Sequence, residues 1–220
     1  MLRLGVIAGA LGALAIGAHV IVGHWRPSPA TYKLQGVDLE EQPPPIEWPS
    51  VRAAGADFAY LVATRGIRAR DPAFEANWQA LPEAGLRRGA VHLYSLCEDG
   101  GAQADTFNAT VPRTADALPP AVDIDTREGC DASPGPAVTN GVREFARRVE
   151  THTGKPVILR LSHAAERRYG LSRALDRPLW LESNFLRPAY ASRPWRMWRA
   201  SDRHRIEGVE APLNWDVVAP

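Results

Sequence analysis

Two aspartates separated by one residue stand out as groups that could do chemistry. They lie in Pro119-Pro120-Ala121-Val122-Asp123-Ile124-Asp125. On a strand, residues two apart point to the same side, so Asp123 and Asp125 face one space together and Ile124 faces the other. Two close carboxylates resist joint ionisation, which raises the pKa of one of them. A raised carboxyl donates a proton near neutrality while its neighbour stays anionic. Acid-assisted cleavage of a glycosidic bond needs that division of labour. The spacing alone also suits a plainer reading, in which one aspartate caps the next turn and the other is solvated.

These aspartates require a scaffold, and the sequence supplies one. Short apolar runs at Leu34–Leu39, Phe58–Ala63, Gly89–Tyr94, Pro120–Ile124, Pro156–Leu161, Pro178–Leu181 and Arg196–Trp198 read as strands. Helical patterns at Glu47–Ala54, Phe74–Ala84 and Val138–Thr151 fall between them, the latter two followed by Gly85 and Gly154. Strands alternating with helices predict a parallel sheet, and its chemistry belongs at the C-terminal strand ends. Those ends carry Asp38, Thr64-Arg65, His92 with Tyr94 and Ser95, Asp123 with Asp125, Arg160 with Ser162, and Glu182 with Asn184. His92 reads either as a satisfied core histidine or as a hydrogen-bond partner of the carboxylates. Arg65 reads either as a solvated loop arginine or as a charge partner for them.

The first residues have a different composition. Residues 4–23 are apolar apart from His19, long enough to cross a bilayer as a helix and longer than the usual core of a cleaved signal. Residues 1–23 are therefore expected to tether the chain to a membrane, the other reading being a signal segment of an exported chain. Residues 24–33, with Pro27 and Pro29, are expected to be a linker, and residues 34–220 one domain outside the cytoplasm, at the periplasm or cell surface. A formal net charge of +1 gives no field to gather nucleic acid. Nothing in the sequence calls for an assembly, so a monomer is expected. Cys97 and Cys130 each follow a predicted strand; in an exported chain they read as a disulfide, the other reading being two free thiols. Neither cysteine has metal ligands around it, so no metal and no organic cofactor is expected.

Taken together, residues 34–218 resemble the glycoside hydrolase family 25 lysozymes. Gly36-Val37-Asp38 is similar to the family's opening Gly-hydrophobic-Asp. Ile46 to Val51 and Gly55 to Phe58 are similar to its first helix and second strand. Ala63-Thr64-Arg65-Gly66 follows Ala-Thr-Glu-Gly, and Asp71, Phe74 and Asn77 follow Asp-x-x-Phe-x-x-Asn. Gly89 to His92, Gln103-Ala104 with Phe107, Leu118 to Asp125, Gly154-Lys155-Pro156 and Trp198 continue the order. The resemblance implies a modified TIM-like (β/α) barrel with fewer than eight helices. It implies cleavage of the β-1,4 bond between N-acetylmuramic acid and N-acetylglucosamine in peptidoglycan. On that template Asp125 is the acid, and Asp123 and Asp38 stabilise positive charge at the sugar. Arg65, His92, Tyr94, Arg160, Trp198 and Asp216 fall where substrate contacts are expected.

The chain departs from the family pattern at several of these places. Asp125 stands where Glu is usual, which sets its carboxyl back by about 1.5 Å, one carbon–carbon bond. Arg65 replaces a Glu, Val91 a Tyr and Arg160 a Tyr. Arg199-Ala200 follows Trp198 in place of Gln-Tyr, and the family's Asp-x-Asn reads Asn214-Trp215-Asp216. Arginines in place of acids predict a cleft that favours anionic ligands, such as muramoyl carboxylates, over neutral chitin oligomers. A catalytically impaired peptidoglycan-binding domain is the alternative these departures raise.

Overall fold

The computed structural model describes residues 21–41, 43, 45–126 and 135–220. Nine strands form one sheet: β1 Gln35–Asp38, β2 Phe58–Arg65, β3 Ala69–Arg70, β4 Arg87–Leu93, β5 Ala121–Ile124, β6 Ile158–Leu161, β7 Leu179–Glu182, β8 Met197–His204 and β9 Leu213–Val218. Their order is β1-β9-β8-β7-β6-β5-β4-β2-β3, and an additional β1–β2 pairing closes eight of them into a barrel. Neighbours run parallel from β1 through β2, β4, β5, β6 and β7 to β8. The last strand, β9, is antiparallel to both β8 and β1 and seals the gap.

Helices are few and cover one arc of the wall: α1 Trp48–Ala53, α2 Phe74–Glu83, α3 Gly100–Thr110, α4 Gly135–Thr153, α5 His163–Tyr169 and α6 Leu171–Ala174. This is the modified TIM-like barrel expected from the sequence. The late strands follow one another without room for full crossover helices, and β9 returns by a hairpin-like antiparallel step.

Alternation along the strands divides the apolar residues into two cores. Phe58, Tyr60, Val62, Val91, Leu93, Ala121, Ile158, Trp180 and Met197 fill the barrel interior. Ala59, Leu61, Ala63, Val122, Ile124, Leu159, Leu161, Trp198 and Trp215 face outward into the larger core under the helices. One irregularity re-aims a side chain. The β2–β4 ladder slips between Val62 and Thr64, so Thr64 pairs with outward-facing His92 and Arg65 with inward-facing Leu93.

Residues 24–33 are not a free linker. Trp25 packs its ring 5.1 Å from Phe185 and 6.5 Å from Trp198. Arg26 lies 5.0 Å over the Trp215 ring and donates to the Ala54 carbonyl at 2.7 Å. Buried apolar contact and satisfied backbone carbonyls dock this segment onto the barrel's outer wall, where the prolines alone suggested a spacer. Among the described residues no helix is long and apolar enough to cross a membrane. The expected anchor, residues 4–23, lies almost wholly outside the described residues.

Candidate active site

The C-terminal strand ends converge on Asp38, which is completely buried at the end of β1. It accepts hydrogen bonds from Arg160 Nη1 at 2.9 Å, Arg199 Nε at 2.8 Å and Asn214 Nδ2 at 3.2 Å, and from Arg199 Nη2. Burial by itself would push this carboxyl up. The Arg199 and Arg160 guanidiniums outweigh burial and hold it below the ordinary aspartate range. Asp38 is therefore a fixed anion.

Arg160 links the cluster. It stands on β6, 2% exposed, with its guanidinium 5.1 Å over the Trp180 ring. Besides Asp38, its Nη2 donates to Asp123 Oδ2 at 2.7 Å. Its Nε has no hydrogen-bond partner among the described residues; Glu182 Oε1 is the neighbouring acceptor at 3.7 Å. Burial opposes the arginine's charge, but Asp123 and Asp38 raise its pKa well above the usual value. Arg199 on β8 is likewise buried and reaches Glu182 Oε1 at 3.3 Å.

Two further acids complete the barrel mouth. Asp125 follows β5 directly and receives Ser162 Oγ at 3.4 Å. That contact continues the Asp123–Arg160 register two residues along both strands, so Asp123 and Asp125 do share a side. Asp123 keeps one oxygen, Oδ1, buried without a hydrogen-bond partner among the described residues. Glu182 ends β7. Burial raises its carboxyl above the ordinary glutamate range, Arg199 and Arg160 pull it back, and the Asp123 and Asp38 charges add to the rise.

Asp216 lies deeper. It is completely buried on β9 and accepts from Trp180 Nε1 at 2.8 Å. Burial first, and the Asp38 charge next, push it well above the aspartate range, which favours the neutral acid. It has no surface to offer a sugar, which corrects its expected place among substrate contacts.

Four other expected contacts are also corrected. His92 points out of the barrel, fully buried, stacked 4.7 Å from Phe145. Its Nδ1 meets Thr64 Oγ1 at 2.7 Å and its Nε2 meets Gln103 Oε1 at 3.0 Å. Burial lowers its pKa to about 4, so it is the satisfied core histidine. Tyr94 also packs outward; a Cβ on Gly141 would fall 2.4 Å from its hydroxyl. Trp198 belongs to the outer aromatic group with Trp25, Tyr32 and Trp195, and its Nε1 donates to the Ser183 carbonyl at 2.7 Å. Arg160 is buried and paired within the cluster rather than displayed to ligand.

Arg65 does turn toward the mouth, but Glu41 Oε2 accepts from its Nε at 2.9 Å and its Nη2 at 2.5 Å. Arg160 and Arg199 are buried on carboxylates and Arg65, 34% exposed, is paired, so the arginines are not free cations waiting for a ligand. They neutralise the protein's own acids instead. Glu182 was visible in the sequence only as one polar strand end; the opposed arginines on the flanking strands would have marked it. Among the described residues no group of three or more His, Cys, Asp and Glu side chains could hold a metal ion.

A closed barrel with a carboxylate-lined mouth at its C-terminal strand ends is the frame of a glycosidase. Residues 37–209 match the model of Glycosyl hydrolases family 25, and the chain belongs to that family. It is 30% identical over 196 residues to YegX of Escherichia coli K12, covering 86% of this chain and 71% of that protein. Lysozyme M1 of Streptomyces globisporus is 32% identical over 136 residues, 59% of this chain and 46% of that one. Among solved structures, a family 25 glycosyl hydrolase from Bacillus anthracis superposes with a TM-score of 0.82 at 27% identity, covering 90% of this chain and 93% of the other. A bacterial lysozyme from Streptomyces coelicolor gives 0.74 at 26% identity, with 85% and 92% covered.

Proposed function

We propose that this protein is a muramidase that cleaves the β-1,4 bond between N-acetylmuramic acid and N-acetylglucosamine in peptidoglycan. The observation that carries the reading is the linked set of carboxylates at the barrel mouth. Asp38 is held as an anion, and Asp123 is tied to it through Arg160 with one oxygen that has no hydrogen-bond partner among the described residues. Fixed negative charge beside a sugar ring stabilises an oxocarbenium-like transition state without reorganisation. Asp38 acts from beneath, since it has no exposed surface, and Asp123 and Asp125 meet the substrate. The family's named lysozymes support peptidoglycan as the substrate class.

The domain acts outside the cytoplasm, tethered by residues 4–23, as a monomer with no cofactor. Cys97 is joined to Cys130 in this reading; Cys130 lies outside the described residues, and among those described no cysteine is free. The test is reducing-end release from purified peptidoglycan by the full chain beside Asp123→Asn. Turnover by the wild type and a loss of at least about tenfold in the variant supports the reading. Equal turnover by both removes Asp123 from the machinery, and no turnover by the wild type sinks the reading.

A second reading, a domain that holds glycan strands without cutting them, is favoured by one observation. Arg160 and Arg199 offset much of the acidic charge that a cationic transition state requires. Sedimentation with peptidoglycan without any reducing-end release is its signature.

A further inference from the structure

We propose that Glu182 is the proton donor of this site, taking the role that the family template gives to the position of Asp125. The proposal rests on the hydrolase reading above and names the acid within it.

Position comes first. Glu182 ends β7, between Arg160 on β6 and Arg199 on β8, at the same mouth as Asp123 on β5 and Asp38 on β1. Its side chain is 19% exposed, against 13% for Asp123 and none for Asp38. Of these three ion-paired carboxylates it offers most surface to a ligand.

The surroundings suit a group that starts neutral and becomes charged. Burial favours the neutral acid, and the fixed Asp38 and Asp123 charges favour it further. Tyr190 holds the strand end in place, its hydroxyl receiving the Glu182 amide at 2.9 Å and donating to the Leu161 carbonyl at 2.6 Å. Arg160 Nε, buried and without a hydrogen-bond partner among the described residues, lies 3.7 Å from Oε1. That is too long for a hydrogen bond, and a shift of well under 1 Å would make one. Buried donors are rarely left unpaired in a native fold, so an orphan aimed at a carboxyl points to a second state of that carboxyl. Arg199 Nη1 at 3.3 Å is the other cation ready for it.

The step follows. Glu182 passes its proton to the glycosidic oxygen as the C1–O bond breaks, and the bonding pair stays with the leaving hydroxyl. The new carboxylate closes on Arg160 Nε. Water adds its hydroxyl at C1 and returns its proton to Glu182, so the acid is regenerated and the balance is hydrolysis.

The experiment uses the full chain, its Glu182→Gln and its Asp125→Asn variants, with reducing-end release from purified peptidoglycan followed from pH 4 to 9. Carboxyl carbon resonances of Glu182 are titrated in the wild type. The expected result is a loss of about a hundredfold or more in Glu182→Gln, with the alkaline limb of the profile gone, a smaller loss in Asp125→Asn, and a Glu182 carboxyl still protonated above the ordinary glutamate range. A wild type that cuts and a Glu182→Gln variant that cuts equally, with the same profile, overturns the proposal while leaving the hydrolase reading intact. A wild type that never cuts overturns both. Should Glu182→Gln fail to fold, the titration decides, and a carboxyl ionising in the ordinary range counts against the assignment.

Discussion

Replacing Arg160 by Met tests the charge network at its hub. The wild-type guanidinium is 2% exposed and serves Asp38 at 2.9 Å and Asp123 at 2.7 Å, with Glu182 at 3.7 Å. Met keeps the apolar stem against Trp180 but strands buried carboxylates. Removing one partner of a buried pair costs about 3–5 kcal/mol, because the remaining charge stays desolvated. With a urea dependence of about 2 kcal/mol/M, the midpoint falls by about 1.5–2.5 M. The penalty depends on pH. Asp38 is depressed in the wild type, so its pairing stabilises the fold above the unfolded pKa, and that contribution fades as pH falls through the folded value. Arg160→Met should therefore cost most near neutrality and least below about pH 4, where unpaired aspartates can take up protons. Adding Asp123→Asn should restore part of the loss, since it removes one stranded charge. Urea denaturation followed by circular dichroism at pH 7 and pH 4 measures all of this. A loss below about 1 kcal/mol at pH 7, or one that does not change with pH, would refute the reasoning.

Two other outcomes follow from the buried titratable groups. His92, lowered to about 4 by burial, stays neutral in the fold while an unfolded chain would protonate it near 6.5. Its contribution is intact above pH 6.5 and is lost as pH falls toward 4, about 3 kcal/mol in all. Imidazole proton shifts should stay flat from pH 8 to 5; a midpoint near 6.5 contradicts its placement between Phe145 and Gln103. Asp216 is held neutral, so Asp216→Asn should change stability by less than about 1 kcal/mol and keep the acceptor for Trp180 Nε1. Asp216→Ala should cost about 1–3 kcal/mol by orphaning that donor. Thermal melts of both variants read the contrast, and equal losses count against a protonated Asp216.

The barrel was legible where local pattern and global fold agree. Seven apolar runs, from Leu34–Leu39 to Arg196–Trp198, all contain strands. The strand β9 was missed although Leu213, Trp215 and Val217 alternate with Asn214 and Asp216 in the period-two pattern of a strand with one apolar face. Asp38, Asp123 and Asp125 could be found because each sits at a strand end that the sequence already marks. His92 and Tyr94 misled for a reason of parity. A residue at a strand end faces the mouth or the helices according to one step of register, and nothing local decides which. Arg65 turns inward only through the slip after Val62. The opposite error applied to Arg160 and Arg199. They were visible as arginines in place of a Tyr and a Gln, but the partners that consume their charge come from β1, β5 and β7, up to 161 residues away in the chain.

The most direct test of the account is the chemistry of the cut ends. Purified peptidoglycan is incubated with the full chain, and the soluble fragments are reduced and identified by mass. A muramidase releases fragments that end in reduced N-acetylmuramic acid, and these are expected from the wild type. Undigested peptidoglycan that nevertheless carries the protein into the pellet would contradict it and leave a glycan-binding barrel whose arginines have silenced its acids.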